Sequence, residues 1–567
     1  MVRRTLTLVC LAIASISSAQ VYPGKDWQTD PHALSPEVLR RVRDYVRALD
    51  TTSLVVVKGG KIAFQYGDTK TLSYLASSRK SVLSMLYGKY VEDGTIDLGK
   101  TVGDLGMDDN PATTPAPEGS KEGAITYPGL LPIEKTARVR DLIMARSSVY
   151  HPASNGGDLL EFAPPRGSQQ PGAYWLYSNW DFNAAGYAFE KMTGKKIFDA
   201  LRDDIAVPIG MQDFDRQRQQ MLGDLKVSRY PAYHMWLSTR DMARIGLLML
   251  NDGSWDGKQL VPSDWVREST KVWTPYTEFH PDSEKHGPWG YGYLWWPYDG
   301  AFATDAFEGA YTSRGAFGQY VAVLPALGIV AAHKTVPVNR SVQDDNWDAL
   351  LHRIAGDVPA SEIVLPILKA KGRDAAMARY VALKKTPHVI ADESDLYSAG
   401  VAADNAKDYA GAIRALSLNL ALYPRSGRTL LALGRAQRHA GNRVLALKTF
   451  RRIVKQSRAG ARAQIELASM GEPVDGHSFL LSYSRVALDA VAGRYKSKDL
   501  RYIVERDGNR LHIREIDPFG DLNDDYLAFP DSRGGFYVPY DWTSVAFEKN
   551  EIVRTLGSDK QRGTRVR

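Results

Sequence analysis

The chain has 567 residues, 44% apolar and 24% charged, with a formal net charge of +7 at pH 7. That length exceeds what one hydrophobic core fills and implies roughly two to four domains. The composition excludes a disordered chain, and with no Lys/Arg block the small basic excess solvates the surface and excludes a nucleic-acid partner.

In chain order, the first signal is a leader. Arg3 and Arg4 precede an apolar stretch from Leu6 to Ile16, and the small residues Ser17 and Ala19 follow. This predicts a signal peptide over 1–19, cleaved after Ala19. No other apolar run is long enough to span a bilayer, so no stable membrane anchor is expected. The sole cysteine, Cys10, lies in the leader after Thr-Leu-Val, which is no lipoprotein box. The expected mature protein is periplasmic or secreted and free of disulfides.

Residues 53–67 predict a β-hairpin around Gly59-Gly60, and residues 81–94 a helix closing at Gly94. Residues 182–211 read as two helices broken at Thr193-Gly194, 319–334 as a strand pair turning at Pro325, and 345–356 as a closing helix. Strands at both ends of a segment with helices between them predict an α/β domain over 20–365, an antiparallel sheet with a helical insert. A Lys/Ala-rich linker is expected at 366–391. Beyond it Gly400, Ala412 and Leu416 recur as Gly434, Ala446 and Phe450, a 34-residue period that predicts tetratricopeptide-like helices over 392–470. From 490 to 567 period-two runs separated by turn residues predict a small antiparallel barrel or sandwich.

The chemistry begins at SYLASSRKSVLS (73–84). Ser77 and Lys80 are three apart at the start of a predicted helix and so share a face, about one turn from each other. A helix N-terminus adds backbone N–H donors and positive potential, both of which favour an alkoxide or oxyanion. The alternative is a helix cap followed by a surface lysine. A lysine has a reference pKa of about 10.4, so acting as a base at pH 7 costs roughly 4 kcal/mol unless a partner trades the proton. A phenol is one such partner, and Tyr177-Ser178-Asn179 is the only Tyr-x-Asn present. Its alternative reading is a buried aromatic with Asn179 capping the next helix.

With these two motifs in order, residues 50–355 resemble the serine β-lactamase and penicillin-recognising family, above all its class C-like esterase and amide-hydrolase branch. YSNWDFNAAGYAFEKMTG, HMWLSTRDMARIGLLMLNDGSWDGKQL (234–260), YGYLWWP and FGQYVAVLPALGIVAAHK carry the likeness further. The resemblance implies that Ser77 is the acylated nucleophile, Lys80 its proton partner and Tyr177 the shuttle to the leaving group. Asn179 would hydrogen-bond Lys80 and the substrate amide. The family's third motif, Lys-Thr-Gly, matches Ser313-Arg314-Gly315-Ala316 after a short gap and without its lysine. These four residues are the expected substrate edge, with the N–H groups of Ser77 and Ala316 as the oxyanion hole. Otherwise Gly315 and Gly318 serve only a strand turn.

No metal-ligand spacing appears among the eleven histidines, and no cofactor is expected. Trp289, Trp295 and Trp296 fit either a substrate cleft or the core. The reading is an exported serine hydrolase that cleaves amide or ester bonds of a small molecule or peptide through a Ser77 acyl-enzyme. The helical repeats would hold a protein partner or, with the β domain, shape access to the cleft. A β-lactamase or D-alanyl peptidase is the rival enzyme. A non-catalytic binding protein that uses the helical repeats is the rival of another class.

Overall fold

The apolar run Leu54–Val57 and the Gly59-Gly60 pair fold as a hairpin at one edge of the main sheet. In the computed structural model helix α1 (Pro36–Ala48) leads into strands β1 (Thr51–Lys58) and β2 (Lys61–Gly67). Both turn glycines have positive φ, +57° and +74°, the geometry a two-residue hairpin turn requires. Residues 22–566 are described, apart from 115–124, 157–158, 286, 336–343, 455–456, 475, 481–482, 499, 517–521, 540–542 and 557–558. The leader expected over 1–19 lies outside the described residues.

Three helices of the insert matter for the site: α2 (Ser78–Glu92), α3 (Asn179–Thr193) and α4 (Thr239–Leu250). Helix α2 is buried on nearly every side from Ser78 to Tyr90, as its small and apolar residues demand. The chain then returns to the sheet through β3 (Trp296–Pro297), β4 (Tyr311–Gly315), β5 (Gln319–Leu324) and β6 (Ile329–Thr335), and closes with α5 (Asp344–Ala355). The strands form one antiparallel sheet of order β3-β4-β5-β6-β1-β2. N- and C-terminal strands thus lie side by side, as the pattern predicts.

Alternation along β5 separates the two faces of this sheet. Val321 shares a water-sized cavity with Ser78 of α2, Met242 and Ile245 of α4, and Ser313. Tyr320 faces the other way and stacks on Trp347 of α5, ring centroids 4.9 Å apart. Helices α2 and α4 therefore cover one face and α5 the other.

The stretch 366–391 departs from its expected role as a linker. Helices α6 (Ala360–Lys371) and α7 (Arg373–Leu383) occupy most of it. They bury Val364, Ala376, Tyr380 and Leu383 with Leu396 and Leu418 in a core of their own. The lysines that enrich the sequence there are exposed, Lys369 and Lys371 in the last turn of α6 and Lys384 and Lys385 just after α7. Five helices follow: α8 (Glu393–Asn405), α9 (Tyr409–Leu422), α10 (Gly427–His439), α11 (Arg443–Arg451) and α12 (Ser457–Ser469). A Cβ at Gly400 would sit 2.5 Å from Leu416, and one at Gly434 2.4 Å from Phe450, so each glycine lets a helix pair close.

This helical region docks on the α1–α5 side. Arg353 of α5 lies 3.8 Å over the Tyr45 ring and 3.9 Å from the Asp395 carboxylate. Asp395 also accepts from the backbone N–H and hydroxyl of Ser361 at 2.8 and 2.5 Å. Arg428 donates to Asn346 at 2.9 Å, and Arg462 pairs with Asp50 at 2.8 Å. This docking uses the sheet face opposite α2.

The C-terminal β region is a closed antiparallel barrel: β7 (Gly493–Lys496), β8 (Arg501–Asp507), β9 (Arg510–Ile516), β10 (Leu522–Pro530), β11 (Phe536–Val538), β12 (Thr543–Glu548), β13 (Glu551–Leu556) and β14 (Asp559–Val566). Closure comes from β7 pairing with β14, which leaves no open edge. Alternation in β9 turns Leu511, Ile513 and Glu515 inward. Outside, Phe529 and Tyr537 pack with Leu467, Met470 and Phe479, fixing the barrel to the helices.

Candidate active site

The turn that carries Ser77 is built by backbone strain. Ser73–Tyr74 pair with Trp236–Leu237, and the chain then reverses through Ala76 at φ +49°. A non-glycine residue there costs of order 1 kcal/mol or more and is held only by its surroundings. Ser77 follows at φ −75°, immediately before α2. Its hydroxyl makes no capping bond to the helix; it accepts a hydrogen bond from Lys80 Nζ at 3.0 Å. Of the two readings of Ser77, the geometry departs from the cap.

Lys80 is 2% exposed, and a buried ammonium is tolerable only if its donors are used. Besides Ser77 it donates to Tyr177 Oη at 2.6 Å and Asn179 Oδ1 at 2.8 Å. The Phe182 ring lies 4.2 Å beneath the same nitrogen. Ser77, Lys80, Tyr177 and Asn179 thus meet at one atom, Nζ.

Helix α3 supplies the tyrosine side. Asn179 opens it, and its Nδ2 donates to Gly156 O at 2.9 Å. Two residues on, Asp181 accepts from the Ser147 hydroxyl at 2.5 Å, and Asn183 donates to Asn155 at 2.8 Å. The loop bearing Ser147, Asn155 and Gly156 is therefore pinned to the first turn of α3. Asp181 and Asn183 were within the Tyr-x-Asn segment, but no spacing in the sequence links them to Ser147 or Asn155.

Burial pushes the Tyr177 hydroxyl up to about 12, while the Ser77 hydroxyl and the Arg79 and Arg314 charges pull against that rise. His234 stacks on Tyr74 at 5.1 Å. Burial, aided by Arg79 and Lys80, holds its ring down at about 3, so it is neutral at ordinary pH.

The third-motif residues divide between two directions. Ser313 is buried, donates to Ser78 Oγ at 3.1 Å and accepts from the Val321 N–H at 3.0 Å. Arg314 points oppositely, its guanidinium carbon 4.2 Å above Trp296, whose ring centroid is 5.9 Å from that of Tyr177. Trp289, Trp295 and Trp296 are all buried. A Cβ on Gly315 would lie 2.4 Å from Leu75 O, so only glycine lets β4 abut the turn that carries Ser77. Ala316 heads the exposed turn to β5.

That turn is pinned from behind by residues the sequence reading missed. Thr335 Oγ1 donates to Phe317 O at 2.6 Å, and Gln319 Nε2 to Thr335 O at 3.0 Å. His333 Nδ1 donates to Gly318 O at 2.7 Å, and its Nε2 accepts from Thr51 at 2.9 Å. These bonds tie the turn to β6 and β1, about 280 residues apart in sequence. No local motif signals them.

A family model described as Beta-lactamase matches residues 40–352. No curated protein matches the chain. Similar solved structures include a simvastatin synthase from Aspergillus terreus, 16% identical, covering 56% of this chain and 94% of its own, TM-score 0.42. A β-lactamase from Mycobacterium bovis is 16% identical over 55% of this chain and 99% of its own, TM-score 0.37. A penicillin-binding protein from Bacillus halodurans is 14% identical over 55% and 98%, TM-score 0.39.

Proposed function

The chain belongs to the β-lactamase family, and from that premise we propose that it is an exported serine hydrolase that cleaves amide or ester bonds through a Ser77 acyl-enzyme. One observation carries the reading: Lys80 Nζ touches both Ser77 Oγ at 3.0 Å and Tyr177 Oη at 2.6 Å. Attack by Ser77 Oγ on the substrate carbonyl passes its proton to the Lys80–Tyr177 pair. The hydroxyl of the half-buried Tyr177 returns it to the leaving nitrogen or oxygen. Water then attacks the ester and regenerates Ser77. Asn179 holds Lys80 in place, and the N–H groups of Ser77 and Ala316 receive the oxyanion. The three side chains at Nζ weigh against a non-catalytic binding protein, which has no need of them.

Arg314 favours a second reading. Its cation stands on the tyrosine side of the site, where a substrate carboxylate would gain a charge-assisted hydrogen bond of ~1.5–3 kcal/mol. A β-lactam or a D-alanine-ended peptide carries such a group. Under the first reading neutral amides and esters are cleaved better than penicillins, and Arg314→Ala changes this little.

The helical region is proposed as tetratricopeptide-like, supported by the equivalent Gly400–Leu416 and Gly434–Phe450 contacts, and as the place where a protein partner would bind. The test of the whole reading is a fluorophosphonate probe followed by peptide mass analysis. Label on Ser77 that Ser77→Ala abolishes supports it, and an unlabelled chain rejects it. A panel of amides, esters and penicillins, repeated with Arg314→Ala, then separates the two substrate classes.

A further inference from the structure

Arg79 sits between the nucleophile and its lysine in the chain, and neither the motif nor the mechanism above uses it. It is 2% exposed. Its Nη1 donates to Ala76 O at 3.0 Å, while Nε and Nη2 have no hydrogen-bond partner among the described residues. The guanidinium carbon lies 5.3 Å from the centroid of the Tyr233 ring.

Other buried arginines behave differently. Arg244 uses both terminal nitrogens on the carbonyls of Pro23, Gly24, Lys25 and Ile209 and leaves only Nε without a partner among the described residues, and Arg353 faces Asp395. Burying a charge with its donors unspent is costly, so a fold keeps one only where something else depends on it. What depends on it here is next door. Arg79 braces the strained Ala76 that aims Ser77, and its charge acts on Tyr177, Tyr233 and His234.

We propose that Arg79 is a positioning residue for the hydrolase: a buried cation, with no carboxylate partner among the described residues, that braces the Ala76 turn and keeps more of the Lys80–Tyr177 pair deprotonated and so free to take the Ser77 proton. The proposal rests on the Ser77 acyl-enzyme reading. The charged and titratable groups facing Tyr177 are Lys80 and Arg79 from the nucleophile helix, Arg314 from β4, Tyr74 from the preceding strand, and Tyr233 and Tyr291 from the insert. Arg79 acts on that group in the same direction as Arg314, but from inside the protein. Solvent and substrate do not screen it there.

A brace and a field are separable by experiment, because only the field moves a pH profile. The rate of Ser77 phosphonylation by a fluorophosphonate, in which Oγ bonds to phosphorus and fluoride leaves, is measured from pH 6 to 10 on the full chain. Arg79→Met should react about tenfold more slowly than the native chain at pH 7 and approach it near pH 10, its rising limb moved up by about one pH unit. Arg79→Gln, which can still donate to Ala76 O, should move the same way, and Arg79→Lys should keep the native midpoint. Neutral variants that are slow by one constant factor at every pH would show a brace alone and overturn the proposal. Native rates throughout, or neutral variants without a cooperative melting transition, would overturn it too. A native chain that takes no label rejects the Ser77 reading itself, a distinct failure that removes the basis for this one.

Discussion

The α2–α3 wall of the site and its β4 wall are built by different means. On the first, Ser77, Lys80, Tyr177 and Asn179 present side chains that converge on one nitrogen. On the second, Gly315 and Ala316 present backbone, and its position is set by Thr335, Gln319 and His333 behind the turn. The difference teaches where chemistry is stored. A side-chain wall keeps its identity in a few residues, and a backbone wall keeps it in the sheet that carries it.

The sharpest break is on the side-chain wall. Ser77→Ala or Lys80→Ala should each lower kcat/KM by on the order of 10⁴-fold, and the double variant should be scarcely worse, since groups acting as one unit lose nearly everything singly. Tyr177→Phe should keep the melting temperature and lose most of the activity. Additive losses in the double variant would show that Ser77 and Lys80 work apart.

The backbone wall should break differently, at a residue with no functional group. Gly315→Ala places a Cβ 2.4 Å from Leu75 O and 2.8 Å from Gln319 Cβ, so β4 must withdraw from the nucleophile turn. We expect kcat to fall by about 10²–10³-fold, the cost of a misplaced oxyanion donor. Fluorophosphonate labelling of Ser77 should fall with it. Unchanged kcat would mean that β4 does not contribute to the reaction.

Acid should loosen the backbone wall through His333. Burial holds this histidine down at about 4, and it donates to Gly318 O while accepting from Thr51. Its folded value lies below the usual 6.5, so protonation favours the unfolded chain. The stability it preserves is whole above about pH 6.5 and is lost as pH falls toward 4, up to about 3 kcal/mol. Urea unfolding from pH 8 to 4 should show that slope, and His333→Gln should flatten it.

How much of each wall could be read in the sequence follows from the same contrast. Ser77 and Lys80 are a turn apart, and Tyr177 and Asn179 are neighbours on one loop, so spacing exposed them. The hairpin at Gly59-Gly60, the Gly94 stop and the barrel alternation were legible for the same local reason. Thr51, His333 and Gly318 are joined only by the register of β1 and β6 and the turn before β5, which no local pattern encodes. Ser313 matched the motif position, yet pleat parity sent it to Ser78 and left Arg314 beside Trp296. Helices α6 and α7 lie where a linker is expected because the exposed Lys369, Lys371, Lys384 and Lys385 sit at their C-terminal ends and the apolar stripe between them is weak.

The smallest effect is expected from the most drastic cut. The helical region touches the β-lactamase-family domain on α1 and α5, through Tyr45, Asn346 and Arg353, and the sheet stands between that contact and Ser77. A chain ended at Lys371 loses Asp395 from beside Arg353 and Ser361, which leaves a buried cation without its carboxylate. The fragment should therefore melt several degrees lower, since an unpaired buried charge costs about 3 kcal/mol. Its hydrolysis of a small activated ester should stay within about threefold of the full chain, because neither wall of the site gains or loses a contact. Arg353→Met in the fragment should recover part of the lost melting temperature by removing the stranded charge, with activity unchanged. A folded fragment whose kcat drops by thirtyfold or more would show that the docked helices hold the sheet in its working register, and would make the back of the sheet a third wall of the site.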